Sequence, residues 1–213
     1  YPSVYHSVIP AFNSASMTMT CKFKPSSELE RFGLRVYLAL VENFPRAYFV
    51  GGTARDFLLG NKINDIDIAT SASPTEVIET LKKYFIDYNL GYQSMGVIIA
   101  ANNSHTATVA SFRKDLKATT RYPKIKFVKT AREDAQRRDF TINSLYFSPK
   151  NGKILNFFGG LEDLKKKQIK FIGKPEKRIK EDPLRIIRAL RFALQLNFKL
   201  EKSAKLAIKK HFS

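Results

Sequence analysis

The chain has 213 residues, of which 44% are hydrophobic and 26% charged, so it can bury the core of one domain, or of one domain with part of another. No apolar run approaches the roughly 18–20 residues that a membrane-spanning helix needs, so no transmembrane helix is predicted. The net charge of +18 favours a polyanionic partner, nucleic acid first and an anionic membrane surface second, over a lysine-rich surface that only aids solubility.

The N-terminal extension, residues 1–27, is rich in Ser and Thr and contains no Asp or Glu. This composition is compatible with disorder and is similar to that of an organellar transit peptide, although arginine is missing. Cys21 is the only cysteine of the chain, so it has no disulfide partner within the chain and we expect a reducing compartment. The expected location is the cytoplasm, with a mitochondrion or another organelle as the alternative.

Periodicity, caps and glycines predict an α+β head domain over residues 28–150. Ser26 or Ser27 can cap the first helix, and Ser73 with Glu76 has the spacing of a capping box. The predicted elements are a helix at 26–44, a strand ending in two glycines at 47–52, a helix at 53–60 closed by Gly60, a strand at 65–70, a helix at 73–85 and paired strands at 96–101 and 106–113.

The second half of the chain is predicted to change from sheet to helix. The polar, basic segment 114–127 lacks periodicity, and we expect a mobile loop there. Residues 132–148 begin as a helix and become apolar, and residues 153–173 contain a Gly-Gly break, a short helix and a strand. From residue 176 onward the pattern is helical, and residues 151–213 are predicted to form a helical segment that continues into further chain.

Asp65 and Asp67 lie in the otherwise apolar run "INDIDIAT". Because side chains alternate faces along a strand, the two carboxylates point the same way and repel each other unless a cation lies between them. Magnesium, which prefers oxygen ligands, is the natural candidate. The alternative is a half-exposed strand whose polar side chains face water, and this pair alone does not decide between the two.

Gly51 and Gly52 stand at a predicted strand-to-helix junction, ahead of the acidic pair. Glycines there let backbone N–H groups approach a phosphate, and the N-terminus of the following helix favours negative charge. Arg55 is one turn into that helix and could reach the same anion. The alternative is an ordinary turn with a solvated arginine, but the combination with Asp65 and Asp67 predicts a metal–triphosphate site.

The motif "RRDFTIN" places Arg137, Arg138 and Asp139 just before an apolar run. The arginines could hold phosphate or sugar oxygens, and Asp139 could accept a hydrogen bond from a ribose hydroxyl. The alternative is a solvated basic turn in which Asp139 caps a helix.

The motif "EDPLRIIRALRF" predicts a helix with Asp182 as its N-cap and Pro183 as its first residue. At about 100° per residue the helix has two distinct sides. A solvated basic face and an arginine face turned toward an anionic ligand or a base edge are both compatible with this pattern. The apolar side contains Ile186, Ile187, Leu190, Ala193 and Leu194, and the opposite side contains Arg185, Arg188 and Arg191.

Taken in order, "GGTARDFLLG…DID", "RRDFTIN", "FFGGLEDL" and "EDPLRIIRALRF" resemble the motifs of the class II tRNA nucleotidyltransferase and bacterial poly(A) polymerase family, within the DNA polymerase β-like nucleotidyltransferase superfamily. The resemblance covers roughly residues 28–213. It implies an α+β fold with a head of mixed or antiparallel sheet flanked by helices, followed by an all-α neck. The helical body and tail domains that hold tRNA in this family are not found in the sequence.

The resemblance also implies a role for each motif. Asp65 and Asp67 would hold two Mg²⁺ ions, and Gly51, Gly52 and Arg55 would contact the triphosphate. Arg138 and Asp139 would contact the ribose. Asp182 and Arg185 would read the base, and Arg188 and Arg191 would support the nucleotide site.

The implied base reading has a chemical rationale. A carboxylate accepts from the exocyclic amino group that cytosine and adenine share, and a guanidinium donates to the adjacent ring nitrogen. Uracil and guanine present the opposite pattern, so both would leave buried groups unpaired.

The implied function is addition of CMP and AMP from CTP and ATP to the tRNA 3′ end. The alternatives are the same chemistry with a narrower output, namely CC-adding, A-adding or poly(A) activity, and a non-catalytic basic RNA-binding module. Two positions depart from the family pattern. Thr108 stands where the family often has an acid, and Asn156 stands where it often has Asp before the Gly-Gly pair.

Overall fold

The computed structural model describes residues 21–90, 92–116 and 124–211. Eleven strands are found in these ranges, and seven of them form the main sheet. In chain order the strands are β1 (Ala47–Val50), β2 (Ile66–Thr70), β3 (Asp87–Asn89), β4 (Val97–Ala101), β5 (Thr106–Ser111), β6 (Arg113–Asp115), β7 (Ile125–Phe127), β8 (Leu145–Phe147), β9 (Ile154–Asn156), β10 (Gln168–Ile169) and β11 (Lys199–Leu200).

Helices precede, interrupt and follow the strands. The first helix packs on β1, β2 and β5, and the second packs on β1, β2 and β8. The helices are α1 (Glu28–Asn43), α2 (Gly51–Leu59), α3 (Pro74–Lys83), α4 (Ala131–Arg137), α5 (Gly160–Lys165), α6 (Pro175–Glu181), α7 (Leu184–Leu196) and α8 (Lys202–His211).

The main sheet has the strand order β3-β4-β5-β2-β1-β8-β9. All neighbours run antiparallel except β2 and β5, which are parallel because the chain returns through α3, β3 and β4 between them. In this parallel pair Asp67 lies opposite Thr108. The predicted α+β fold, a mixed and mostly antiparallel sheet flanked by helices, is confirmed.

Local signals placed the helix ends of the head correctly. The Ser27 hydroxyl accepts from the Glu30 backbone N–H at the start of α1, and Ser73 and Glu76 form the predicted capping box of α3. Gly60 ends α2 in a left-handed conformation, with φ of 70°.

The junction between β1 and α2 is tighter than predicted. The helix begins directly at Gly51, with no turn between strand and helix. Gly51 has a φ of 60°, a left-handed conformation that glycine adopts at little cost. This sharp reversal brings the N-terminus of α2 next to β2.

Residues 21–27 do not behave as a disordered extension, so that part of the prediction for residues 1–27 is wrong; residues 1–20 lie outside the described residues. The Cys21 backbone N–H donates to the Gly152 carbonyl at 2.9 Å. The Phe23 ring lies 5.3 Å from the ring of Phe49 and 5.2 Å from that of Phe57. Burial of an aromatic side chain stabilises this segment, which local sequence composition does not reveal.

The prediction of a mobile loop at 114–127 is wrong at both ends. Strands β6 and β7 form an antiparallel ribbon, in which Arg113 pairs with Phe127 and Asp115 with Ile125. The Leu116 backbone N–H donates to the Lys124 carbonyl at 2.7 Å, which extends the ribbon by one step. Residues 117–123 lie outside the described residues.

The sheet continues past residue 150, the predicted end of the head domain. Strand β9 pairs with β8 as the last strand of the main sheet, so the predicted boundary falls inside a hairpin. Within 151–211, β10 and β11 also form a short parallel pair, so the helical pattern is interrupted at Lys199–Leu200.

Helix α7 begins later and buries less than predicted. It starts at Leu184 with Pro183 at the cap position, so Asp182, the predicted cap, lies one residue before the observed cap, although its carboxylate accepts from the Leu184 backbone N–H at 3.0 Å. The stripe that packs on the head is narrow, and three of the five residues of the predicted apolar side are exposed. The buried residues are Ile186, Ala189 and Phe192, whereas Ile187, Leu190 and Leu194 are 63%, 40% and 83% exposed.

Among the described ranges, none of the helices combines the length and the apolar character that a membrane span requires.

Replacing Phe23 by alanine tests whether the N-terminal segment belongs to the core. We expect Phe23→Ala to lower the free energy of unfolding by about 3 kcal/mol, because a buried ring is lost. Phe85→Ala is the matched control, since Phe85 is 91% exposed and its loss is expected to change stability by less than about 0.5 kcal/mol. Chemical denaturation measures both, and equal midpoints for the two variants would contradict the packing described for Phe23.

Candidate active site

A cleft of about 1150 Å³ lies between the N-terminus of α2, the start of β2 and the helices α6 and α7. Its lining includes every residue that the sequence motifs singled out. These are Gly51, Gly52, Arg55, Asp65, Asp67, Arg137, Arg138, Asp139, Asp182, Arg185, Arg188 and Arg191. Three of the four motifs, which span residues 51–192, therefore meet at one place, with room for a nucleotide and part of a second ligand, whereas "FFGGLEDL" contributes no cleft residue.

The acidic pair is held through its backbone by a buried threonine. The Thr53 hydroxyl of α2 donates to the Asp65 carbonyl at 2.9 Å and accepts from the Asp67 N–H at 2.7 Å. Thr53 is 1% exposed, so water cannot replace these bonds. One side chain therefore fixes the peptide segment that carries both carboxylates.

The environment of Asp67 suits a bound cation. Burial raises the pKa of Asp67, the nearby Arg138 guanidinium opposes this, and the Asp65 carboxylate raises the pKa further. Within the described ranges, no side chain forms an ion pair with either carboxylate and no cluster of three His, Cys, Asp or Glu side chains could hold a metal. Two carboxylate donors fit a hard divalent cation that takes its other ligands from water or phosphate.

Thr108 occupies the position where a third acid was expected. It lies opposite Asp67 in the parallel pair of β2 and β5, so both side chains project from the same face of the sheet. A hydroxyl is a weaker ligand for a divalent cation than a carboxylate. The donor set that the chain itself offers is therefore Asp65 and Asp67.

The N-terminus of α2 meets the acidic pair closely. A Cβ added at Gly51 would lie 3.4 Å from Asp67 Oδ2 and 3.6 Å from Arg138 Nη1. Both distances correspond to ordinary van der Waals contact, so a side chain at this position is disfavoured by the strain of the left-handed backbone more than by crowding. Without a side chain at Gly51, the space beside the helix N-terminus is open to an anion.

Arg55 is oriented by neighbours on both sides. Its guanidinium forms two hydrogen bonds with the Asp56 carboxylate, at 2.9 and 2.8 Å, and a third with Asn143 Oδ1 at 2.9 Å. It also lies 5.2 Å from the centroid of the Phe192 ring. These partners, which the sequence motifs did not indicate, place the arginine at the cleft wall.

Arg138 is held by a buried polar network. The guanidinium donates to Asp134 Oδ2 at 3.2 Å and to the Tyr146 hydroxyl at 3.0 Å. Burial opposes ionisation of Asp134, but Arg138 and Arg137 outweigh it and lower the pKa of Asp134 to about 2. Burial also raises the pKa of the Tyr146 phenol.

Asp139 is not free in this arrangement. Its Oδ2 accepts two hydrogen bonds from Arg188, at 2.8 and 2.6 Å, and its Oδ1 accepts from the Phe140 backbone N–H at 2.8 Å. The carboxylate therefore ties the segment after α4 to α7. A contact with a ribose hydroxyl stays a prediction, and it would have to share an oxygen with Arg188.

Asp182 and Arg185 both line the cleft but do not pair with each other. Arg185 Nη1 donates to Glu181 Oε2 at 2.9 Å and to the Arg178 carbonyl at 2.8 Å. Glu181 also accepts from Arg178 at 2.6 Å. Burial opposes ionisation of Glu181, and the two arginines more than offset it, so its pKa is lowered.

Sequence reasoning missed several cleft residues. Glu181 could have been found, because it lies four residues before Arg185 and three after Arg178, at the spacing of helical ion pairs. Asp56, Asn143 and Phe192 stand inside the quoted motifs but were not singled out. Arg113 and Asp115 lie outside those motifs and reach the cleft through tertiary structure.

Comparison with known proteins gives the family. Residues 47–170 match the family model described as the poly(A) polymerase head domain. Over 171 residues the chain is 41% identical to the CCA-adding enzyme of Lactococcus lactis subsp. lactis (strain IL1403), an alignment that covers 79% of this chain and 42% of that protein. The chain therefore spans less than half the length of this curated relative.

Solved structures agree with this result. The CCA-adding enzyme of Bacillus stearothermophilus in complex with CTP superimposes with a TM-score of 0.74 at 33% identity, over 85% of this chain and 43% of that one. A tRNA nucleotidyltransferase complexed with a primer tRNA and an incoming ATP analog gives a TM-score of 0.67 at 32% identity, over 84% of this chain and 49% of that one. The family model covers the part of the cleft formed by residues 51–143 and ends before the cleft residues of α6 and α7. On the family model and the relatives together, the chain belongs to the class II tRNA nucleotidyltransferase and poly(A) polymerase family, which includes the CCA-adding enzymes.

Proposed function

We propose that this chain contains the catalytic part of a template-independent RNA nucleotidyltransferase, which adds CMP and AMP from CTP and ATP to the tRNA 3′ end. The observation that carries the proposal is the convergence of an acidic pair, a glycine-led helix N-terminus and the Asp182 and Arg185 side chains on one cleft. The relatives named as CCA-adding enzymes support the same activity.

The phosphate end of the cleft suits transfer of a nucleotidyl group. Two Mg²⁺ ions held by Asp65 and Asp67 would neutralise charge on the triphosphate and lower the pKa of the RNA 3′-hydroxyl. The backbone of Gly51 and Gly52 would approach the phosphates, and Arg55 would bind them from the cleft wall. The 3′ oxygen would form a bond to the α-phosphorus and release its proton to solvent. The bond from the α-phosphorus to the oxygen that bridges to the β-phosphate would break, and pyrophosphate would leave with that electron pair.

The base end of the cleft supports selection of cytosine and adenine. Both intramolecular hydrogen bonds of Arg185 use Nη1, so Nε and Nη2 are left to donate to a base. Among the residues that the structure describes, Asp182 accepts a side-chain hydrogen bond at Oδ1 alone, from the Leu184 N–H, so Oδ2 is left to accept from an amino group. One donor edge and one acceptor edge therefore match the pattern that cytosine and adenine share.

Arg138 and Asp139 would position the ribose, and Arg188 and Arg191 would support the nucleotide from α7. Arg188 fulfils this role in part by holding Asp139. The net charge of +18 would guide tRNA by a salt-sensitive attraction that is largely independent of sequence. A cytoplasmic or organellar location is part of the same proposal, since tRNA is found in both.

One assay tests the proposed activity. The full-length protein is incubated with tRNA that lacks its CCA end, with Mg²⁺ and each labelled nucleotide separately. We expect CTP and ATP to be incorporated, UTP and GTP to be excluded, and EDTA to abolish the reaction. Incorporation of UTP as efficiently as CTP would contradict the base-reading mechanism.

Removal of the acidic pair tests the metal site. Asp65→Ala with Asp67→Ala is expected to lower kcat by a factor of about 1,000 or more, because charge on the triphosphate is no longer neutralised. Asp87→Ala is the control, since Asp87 is exposed on edge strand β3. Activity that survives the double substitution would rule out a metal-binding role for the pair.

Arg185→Ala tests the base-reading role. We expect the preference for CTP and ATP over UTP and GTP to fall by about 10-fold to 100-fold, with a smaller loss of triphosphate affinity, because the hydrogen bond that rejects the wrong bases is lost. Lys180→Ala, an exposed charge-matched change on α6, serves as control. An equal loss for all four nucleotides would show that Arg185 binds phosphate or is structural.

Thr53→Val tests how firmly the acidic pair must be held. Valine has the shape of threonine without the hydroxyl, so the Asp67 N–H and the Asp65 carbonyl lose their buried partner. We expect kcat to fall by about 10-fold or more with little change in nucleotide affinity, whereas Thr53→Ser retains kcat within about 3-fold. Equal kinetics for the two variants would show that the hydroxyl does not position the carboxylates.

A further inference from the structure

Asp134 joins three parts of the structure without lining the cleft. It lies in α4 and is 1% exposed. Its Oδ1 accepts from the Arg113 backbone N–H at 3.1 Å and from Arg137 at 2.9 Å. Its Oδ2 accepts from Arg138 at 3.2 Å and from the Tyr146 hydroxyl. Each oxygen of this carboxylate thus accepts from two donors. Arg113 belongs to β6, Arg137 and the following Arg138 to the C-terminal end of α4, and Tyr146 to β8.

The arginines that Asp134 holds are cleft residues. Arg113, Arg137 and Arg138 all line the cleft, whereas Asp134 does not. Arg138 lies beside the N-terminus of α2, since a Cβ at Gly51 would lie 3.6 Å from its Nη1. The direction of that guanidinium is set by Asp134 and Tyr146 from behind. Asp134 can therefore influence a bound anion without touching it.

Asp134 also holds the base of the β6–β7 ribbon. Arg113 is the first residue of β6, and its N–H is bound by the carboxylate. One residue earlier, the Phe112 carbonyl accepts from the Val128 N–H at 2.9 Å, which closes the base of the ribbon. The same buried group therefore fixes where the ribbon leaves the sheet and where Arg138 points.

We propose that Asp134 is a positioning residue, which locks Arg138 and the base of the β6–β7 ribbon into one arrangement against the cleft. The expected effect of Asp134 on nucleotide affinity rests on the proposed function. Without the carboxylate charge, two guanidinium groups in the cleft wall lose a shared counter-ion and repel each other. Arg138 then loses its orientation, and the ribbon loses the contact at its base.

The test compares Asp134→Asn with Glu133→Gln. The first change keeps the shape of a buried side chain and removes its charge, and the second makes the same chemical change at the adjacent, partly exposed position of α4. The dissociation constant for CTP is measured by calorimetry in the presence of Mg²⁺. Hydrogen exchange of the ribbon amides, 113–115 and 125–127, is measured on the same proteins.

We expect Asp134→Asn to weaken CTP binding by about 10-fold or more and to speed exchange of the ribbon amides by at least a similar factor. Amides of β2 and β5 are expected to keep their wild-type rates, which a general loss of stability would not allow. Glu133→Gln is expected to stay within about 2-fold of the wild type in both measurements. A folded Asp134→Asn protein with wild-type affinity or wild-type ribbon exchange would overturn the proposal.

A second variant covers the case in which Asp134→Asn does not fold. Tyr146→Phe removes a hydroxyl that bonds both Asp134 and Arg138 and leaves no charge uncompensated. It is expected to weaken CTP binding by about 3-fold to 10-fold, and an unchanged affinity would overturn the proposal. If the wild type binds neither CTP nor ATP, the proposed function fails. The exchange rates of the ribbon amides would still decide whether Asp134 fixes the base of the ribbon.

Discussion

Charge pairing between arginines and carboxylates is the interaction on which the cleft depends. Guanidinium groups that converge on a small volume repel one another, and long side chains lose rotamer entropy when they are fixed. Carboxylates at the cleft wall offset both effects, and they leave selected N–H groups free to meet a ligand. The pairs are Asp56 with Arg55, Asp134 with Arg137 and Arg138, Asp139 with Arg188, and Glu181 with Arg178 and Arg185.

Asp65 and Asp67 stand apart from this pattern. Within the described part of the chain neither carboxylate has an ion-pair partner, although cationic side chains line the same cleft. Their backbone is fixed by Thr53 instead, so their separation is set by the fold and not by a counter-ion. The cleft therefore combines arginines that are paired directly with carboxylates and an acidic pair that feels Arg138 and Arg55 only at longer range, which is the distribution that a metal–polyphosphate complex would complete.

Local chemistry explains what could be predicted from the sequence. Caps at Ser27 and Ser73 and the stop at Gly60 depend on neighbours within a few residues, whereas β2 begins at Ile66, so Asp65 precedes the strand that was predicted to carry it. The resemblance of the motifs then indicated the cleft lining.

What could not be predicted depends on distant contacts, such as the burial of Phe23, the pairing of β6 with β7, and the carboxylates that hold Arg55, Arg138 and Arg188. Exposure on α7 was mispredicted for the same reason, because periodicity gives the apolar side of a helix but not how much of it is covered.

The contact between Cys21 and Gly152 has a consequence for dividing the chain into fragments. A Cβ at Gly152 would lie 2.5 Å from the Cys21 carbonyl oxygen, so the two backbones touch directly. A fragment that began at residue 28 would uncover the aromatic cluster around Phe23, and one that stopped at residue 150 would remove β9 and the glycine together. The smallest unit that keeps its own core intact is therefore longer at both ends than the predicted head domain, residues 28–150.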